Sequence, residues 1–174
     1  GGAMPLVSSI EDSELASSCS ASSGGSRTDI EYDGQRRPVS IKTTIGGKVA
    51  SEDRIEYGNS NRPIRNVTSL PSGKSLTRST EFSSIRGTQL PVRFTDVDGS
   101  TTELQYNRVG RVSSVYQGGK LVKILEYNQF GDTTKDESFV GSTSFATNYT
   151  YENGKLIKEV ADSGDTTEYT YDRS

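Results

Sequence analysis

The sequence predicts an all-β protein, an antiparallel meander of about 12–13 strands built from six hairpin repeats. The sheet is expected to be curled and open, or barrel-like, and to follow a disordered N-terminal tail. Three observations predict this. An aromatic residue recurs at near-regular intervals, glycine-containing turn signals separate short apolar alternations, and no helical period of three to four residues is sustained.

The recurring aromatic residues define the repeat. Each closes a similar phrase, such as Ile30-Glu31-Tyr32, and successive positions are 25, 25, 24, 21, 24 and 20 residues apart. A period in this range indicates one supersecondary unit copied in tandem. We predict that these rings are structural anchors that stack across the sheet, and a platform for sugars or other planar ligands is the alternative. The anchors are Tyr32, Tyr57, Phe82, Tyr106, Tyr127, Tyr151 and Tyr171.

Each unit is predicted to run as strand, turn, strand, turn. In residues 101–106, Thr102, Leu104 and Tyr106 share one face, which is typical of a half-buried strand. A glycine after the anchor predicts the first turn, and Gly-Gly, Asp-Gly or Ser-Gly pairs predict the second. The first-turn glycines are Gly34, Gly58, Gly87, Gly110, Gly131 and Gly154, and the second-turn pairs end at Gly47, Gly73, Gly99, Gly119 and Gly164.

Residues 1–28 are predicted to be a tail, and residues 29–174 the repeat domain. Gly1-Gly2-Ala3-Met4 is typical of a cloning remnant, and residues 17–26 are rich in Ser and Gly, which favours flexibility. Cys19 is the single cysteine, so no internal disulfide is expected. We interpret Cys19 as an unpaired thiol in the tail, and a lipidated cysteine is the alternative.

The composition indicates a thin sheet and argues against catalysis. Hydrophobic residues make up 30% of the chain and charged residues 25%, which suits a sheet with one covered face. Histidine is absent, which removes the commonest general base and metal ligand. We therefore expect no enzyme, no cofactor and no metal site, with a cryptic hydrolase as the remote alternative. Asp96–Ser100 is interpreted as a hairpin turn and not a calcium loop, because its glycine is fourth and not sixth.

Charge divides the chain into a basic and an acidic half. Residues 27–93 hold 12 Lys/Arg against 7 Asp/Glu, and residues 94–174 hold 8 against 13. The split predicts either a solvated, edge-protecting surface or recognition of an acidic glycan, lipid head group or protein by arginines. Nucleic acid is not expected, because the overall balance is acidic. The candidate partner-binding residues are Arg36, Arg37, Arg54, Arg62, Arg65 and Arg78.

The repeat phrase resembles the tyrosine–aspartate (YD) repeat of rearrangement-hotspot (Rhs) and teneurin-type proteins. The resemblance covers residues 29–174, and the best single copy runs from Leu104 to Tyr127, with Gly110-Arg111 at its first turn. The literal Tyr-Asp pair occurs at Tyr32-Asp33 and Tyr171-Asp172. The resemblance implies a β-hairpin array, typically bacterial and outside the cytoplasm, without catalytic residues.

These observations together predict a non-enzymatic binding or scaffold module of the bacterial envelope or exterior, either periplasmic, on the cell surface or secreted. Its expected partner is a protein or an acidic envelope component. The alternative is a structural repeat segment that pairs edge to edge with itself or with a larger Rhs-type protein, because a meander leaves two edge strands unless it closes. No stretch approaches the roughly 18–20 apolar residues that span a bilayer.

Overall fold

The computed structural model describes residues 6–12 and 24–173, and the described residues form strands, turns and loops without a helix. The strands are antiparallel and follow the order of the sequence in one open sheet, which confirms the predicted meander. They are β1 (Leu6–Asp12), β2 (Ser26–Tyr32), β3 (Pro38–Ile45), β4 (Lys48–Tyr57), β5 (Pro63–Ser69), β6 (Ser75–Ile85), β7 (Thr88–Thr95), β8 (Thr101–Tyr106), β9 (Val112–Gln117), β10 (Lys120–Tyr127), β11 (Thr133–Val140), β12 (Thr143–Glu152), β13 (Lys155–Ala161) and β14 (Thr166–Glu168).

Thirteen strands, β2–β14, belong to the predicted repeat region, in agreement with the expected number. One strand lies where the tail was expected, since β1 pairs with β2 from Leu6↔Tyr32 to Asp12↔Ser26. The Ser/Gly tract up to residue 23, including Cys19, lies outside the described residues, so its predicted flexibility and the lipidation alternative stay predictions.

The described chain divides into two compact units. One comprises the residues up to Glu81 together with Thr95–Gly99, and the other comprises Phe82–Phe94 and the residues from Ser100 onward. In the first unit, Ile30, Ile41 and Asp53 lie opposite one another on adjacent strands. In the second unit, the row Leu104, Val115 and Lys123 does the same. Residues paired in this way share one face of the sheet.

A register shift recurs at the anchors. The pairing slips by one residue immediately before Tyr32, Tyr57, Tyr106, Tyr127 and Tyr151. A bulge of this kind bends the strand and redirects the side chain at the shift. Four of the strands end at an anchor, as predicted, whereas Phe82 lies inside β6 and Tyr151 is followed by Glu152 in β12.

The first-turn glycines Gly34 and Gly58 lie between their strands, as predicted, but they are not the left-handed residues of those segments. Gly34 and Gly58 do not have a positive φ, and the left-handed position of the first turn is taken by Arg36, with φ 61°. The corresponding residues of later turns are Gly110 (φ 85°) and Gly131 (φ 88°). Arg36 N donates to Asp33 O at 3.0 Å, and this hydrogen bond closes a turn that contains Gly34.

No hydrophobic side chain of the described residues is fully buried, so the expectation of one covered face is not met there. Many apolar residues are half-buried, and others, such as Ile45 and Val140, are exposed, so they are not enclosed in a core. The buried described residues are Ser40 and Ser114, two small polar side chains. Both lie two residues after the first residue of their strand, Pro38 and Val112 respectively.

No helix among the described residues has the length and apolar character needed to cross a membrane.

Candidate functional site

Four of the seven anchors are joined to an earlier strand by a hydrogen bond that we call the tyrosine latch. In each case the tyrosine hydroxyl donates to a backbone carbonyl near the start of an earlier strand. Tyr57 Oη lies 2.9 Å from Pro38 O, and Tyr127 Oη lies 2.7 Å from Val112 O. The other two latches join Tyr106 to Pro91 O and Tyr171 to Leu156 O.

For Tyr57, Tyr127 and Tyr171, the latch acceptor is the residue that lies opposite the preceding anchor. Pro38 pairs with Tyr32, and the hydroxyl of the next anchor, Tyr57, reaches its carbonyl. In the same way Val112 pairs with Tyr106 and accepts from Tyr127. Each of these three latches therefore satisfies a carbonyl at the bulge of one repeat with the hydroxyl of the following one. Paired backbone groups at such irregular positions avoid the cost of a lost hydrogen bond.

A cation covers several of the latched rings. The guanidinium of Arg37 lies 4.4 Å from the centre of the Tyr57 ring, and that of Arg111 lies 5.8 Å from Tyr127. Lys155 Nζ lies 5.0 Å from the Tyr171 ring. These contacts are within the range of cation–π attraction. Each cation immediately precedes a latch acceptor, and we call this the cap position.

The turn after the anchor is held by one polar side chain. Asp33 Oδ1 accepts from the amides of Gln35 and Arg37 at 2.8 and 3.0 Å. Asn107 and Asn128 make the same pair of bonds in later repeats, with residues 109 and 111 and with residues 130 and 132. This is the Asx-type turn that Asp and Asn favour. The backbone bond to Arg37, opposed by desolvation and aided by its guanidinium, lowers the pKa of Asp33.

The structure separates the six candidate arginines. Arg37 is structural, because its guanidinium lies 2.7 Å from Asp33 Oδ2 and stacks on Tyr57. Three others form ion pairs, namely Arg54 with Glu52 (2.9 Å), Arg65 with Glu56 (3.5 Å) and Arg78 with Asp96 (3.1 Å). Arg36 lies in the first turn, and Arg62 is an exposed residue just before β5.

A second group of tyrosines lies on β12 and in the segment after β14, next to Glu159 of β13. Tyr149 pairs with Glu159, and Tyr169 Oη lies 3.2 Å from Glu159 Oε2. The hydrogen bond to Glu159 is the main cause of a raised pKa at Tyr169. Burial raises the pKa of Tyr149, and the charges of Glu159 and Asp136 add to the effect. Of the non-anchor rings, Phe130 and Phe145 are exposed, whereas Tyr116 and Phe139 are half-buried.

The described residues contain no group of three or more acidic or sulfur side chains arranged to hold a metal ion. Asp96, proposed above as a turn residue, accepts from the amide of Val97 at 2.7 Å and from Arg78. The bond from Val97 is the main cause of the lowered pKa of Asp96. Gly99 N donates to Asp96 O, so this segment is a hairpin turn, as predicted.

Sequence reasoning missed the latch acceptors and the cap position. A signal for the cap was present, because Arg37-Pro38, Arg62-Pro63, Arg111-Val112 and Lys155-Leu156 each place a cation before the residue that lies opposite an anchor. The acceptors carried no signal, since any residue offers a carbonyl.

No protein-family model matches the chain, and no curated protein sequence is similar to it. Among solved structures, the chain is similar to one titled "Crystal Structure of TcdB2-TccC3-TEV", at 15% sequence identity and a TM-score of 0.41. The match covers 84% of this chain and 11% of that chain, so the chain spans about a ninth of the length of the structure it matches.

Proposed function

We propose that this protein is a non-enzymatic structural scaffold, a stack of β-hairpins that assembles through an edge of its sheet with a second copy or with a larger repeat protein. The observation that carries the proposal is the tyrosine latch, which joins successive hairpins by one repeated contact. A unit that is held by contacts to its neighbours is suited to extension, because the same contacts recur when another strand is added.

The edge strand β14 supports the proposal. It has three residues, all exposed, and it is the last strand in the sheet order. Tyr169 N donates to Ile157 O and Ala161 N donates to Asp165 O, both at 2.9 Å. Hydrogen-bonded pairs alternate along an antiparallel ladder, so the amide of Thr167 faces β13 and the amide of Glu168 faces outward. An outward row of this kind is able to pair with another strand.

Replacement of Glu168 tests the proposal. Glu168→Pro removes the outward N–H and leaves the bonds to β13 in place, whereas Glu168→Gln keeps the N–H and removes the charge. We expect concentration-dependent self-association by sedimentation or light scattering, at least about tenfold weaker in Glu168→Pro and nearly unchanged in Glu168→Gln. A wild-type protein that stays monomeric at high concentration and binds no larger repeat protein, or a proline variant that associates like the wild type, would contradict it.

Recognition of an acidic partner by the basic half is the second candidate. Its support is the exposure of two arginines, since the side chains of Arg54 and Arg78 are 69% and 70% exposed. Exposed ion pairs are weak, so these guanidinium groups are free to exchange their carboxylates for those of a partner. Replacement of both arginines by Ser should abolish salt-sensitive binding to immobilised heparin-like or anionic lipid surfaces. Equal retention of the wild type and the double variant would exclude this candidate.

We also propose a location in the bacterial envelope or exterior, periplasmic, surface-exposed or secreted. The YD-repeat resemblance supports this location. Fractionation of the source cells, with detection of the protein by antibody, tests it, and recovery in the cytoplasmic fraction alone would oppose it.

A further inference from the structure

The register shows that a cap residue lies opposite the next anchor. Ser40 pairs with Arg54, and continuing that register by three residues places Tyr57 opposite Arg37. Ser114 pairs with Ile124, and the same continuation places Tyr127 opposite Arg111. The observed ring contacts of these two arginines agree with the continuation.

Tyr151 departs from this arrangement. Lys135 pairs with Asn148, and continuing by three residues places Tyr151 opposite Asp132, a carboxylate where three other repeats have a cation over the anchor ring. Within the described part of the chain, Tyr151 Oη forms no latch. Both residues are half-buried. Burial raises the pKa of Tyr151, and the charge of Asp132 contributes as the second cause, which agrees with their proximity.

The Arg37 contact indicates which group suits this position. Its guanidinium is held between a carboxylate 2.7 Å away, on Asp33, and a tyrosine ring 4.4 Å away, on Tyr57. Asp132 and Tyr151 supply the same two elements. A guanidinium matches them well, because it bonds carboxylates through a planar fork and stacks on aromatic faces.

Within the described residues, no cation of the chain forms an ion pair with Asp132. Lys135 lies 3.0 Å from Glu137, and Lys155 lies over Tyr171. Arg111 lies against the turn at Gly131 and over Tyr127. The side-chain contact of Asp132 is with Asn128 Nδ2, at 3.3 Å.

Phe130 is an exposed aromatic residue in the same turn as Asp132. It lies two residues before Asp132 in the turn closed by Asn128, and 76% of it is exposed. Aromatic and arginine side chains are enriched at protein interfaces.

We propose that Asp132, Tyr151 and Phe130 form a docking site for an arginine side chain of a partner protein. The carboxylate pairs with the guanidinium, the Tyr151 ring stacks on it, and Phe130 packs against the methylene stem. This site does not include β14, so it is tested independently of the scaffold proposal.

Titration of the isotope-labelled full chain with N-acetyl-arginine amide tests the site by two-dimensional NMR. The neutral isostere, N-acetyl-citrulline amide, is the matched probe. We expect saturable amide shifts confined to residues 129–133 and 149–152 with the arginine probe, and none with citrulline. Shifts that are linear and spread over the acidic residues of the whole chain would overturn the proposal, as would equal responses to the two probes.

Variants test whether the arginine probe binds at Asp132. Asp132→Asn should weaken binding of the arginine probe about fivefold or more, whereas Asp162→Asn, a charge loss in the exposed turn after β13, should leave it unchanged. Asp132→Arg should abolish binding and raise the melting temperature, because the new guanidinium occupies the cap position over Tyr151. Equal weakening by the two Asn variants would overturn the site, and the Asn comparison decides the question even if Asp132→Arg fails to fold.

Discussion

The hydroxyl of Tyr127 donates to the carbonyl oxygen of Val112, the residue that lies opposite the preceding anchor, Tyr106. One hydrogen bond thus joins two consecutive bulged repeats. Since no hydrophobic side chain of the described residues is fully buried, such lateral contacts carry a larger share of stability than they do in a protein with a packed core.

Removal of this hydroxyl should destabilise the protein. Tyr127→Phe keeps the ring and leaves the Val112 carbonyl without its donor, so we expect the free energy of unfolding to fall by about 1 kcal/mol. Urea denaturation measures the change. Tyr116→Phe is the control, because the hydroxyl of Tyr116 forms no hydrogen bond among the described residues, and it should be nearly neutral. Equal losses in the two variants would argue against the latch.

Replacement of Arg36 by Gly should stabilise the protein. Arg36 has φ 61°, where a residue with a Cβ is strained by about 1–2 kcal/mol. Relief of this strain outweighs the roughly 0.5–1 kcal/mol that glycine costs through its larger loss of chain entropy on folding. The reverse change, Gly110→Ala, should destabilise the protein by about 1 kcal/mol, because alanine is strained at φ 85°. No steric clash adds to this cost, since the nearest atom, Leu90 Cδ1, would lie 3.9 Å from the new Cβ. Thermal unfolding of both variants checks the pair, and a lower melting temperature for Arg36→Gly would contradict it.

Asp33 should make stability depend on pH in the acidic range. Its folded-state pKa is lowered, chiefly by the bond from the Arg37 amide, so its contribution is fully present above its unfolded-state pKa and is lost as pH falls through the folded value. Asp33→Asn keeps an acceptor, as in Asn107 and Asn128, and removes the titration. Melting temperatures between roughly pH 2 and pH 6 should therefore fall less steeply in the variant. Parallel curves for the two proteins would show that Asp33 does not contribute.

Arg37 and Arg54 should behave differently when neutralised. Arg37→Gln removes an ion pair and a ring contact at a side chain that is 23% exposed, and we expect a loss of about 1–2 kcal/mol. Arg54→Gln removes an ion pair at a side chain that is 69% exposed, and the change should stay below about 0.5 kcal/mol. Chemical denaturation distinguishes them. Similar losses in the two variants would mean that the contacts of Arg37 with Asp33 and the Tyr57 ring add little to the free energy of unfolding.

The sequence alone was sufficient for the repeat and its strand order. The Gly118-Gly119 turn between β9 and β10 and the strand ending at Tyr127 were predicted, because turn chemistry and period-2 alternation are local properties. The strand order followed from the same reasoning, since hairpin turns join neighbours in sequence.

The tertiary structure alone decided what the anchors contact. The latch joins residues 19 positions apart at Tyr57 and 15 positions apart at Tyr127, and the difference depends on turn lengths and bulges that no local pattern specifies. The same register assigned Arg37 to a structural role and set Asp132 opposite Tyr151. Local sequence determines which segments become strands, whereas register, which is a cooperative property of several strands, determines which side chains meet.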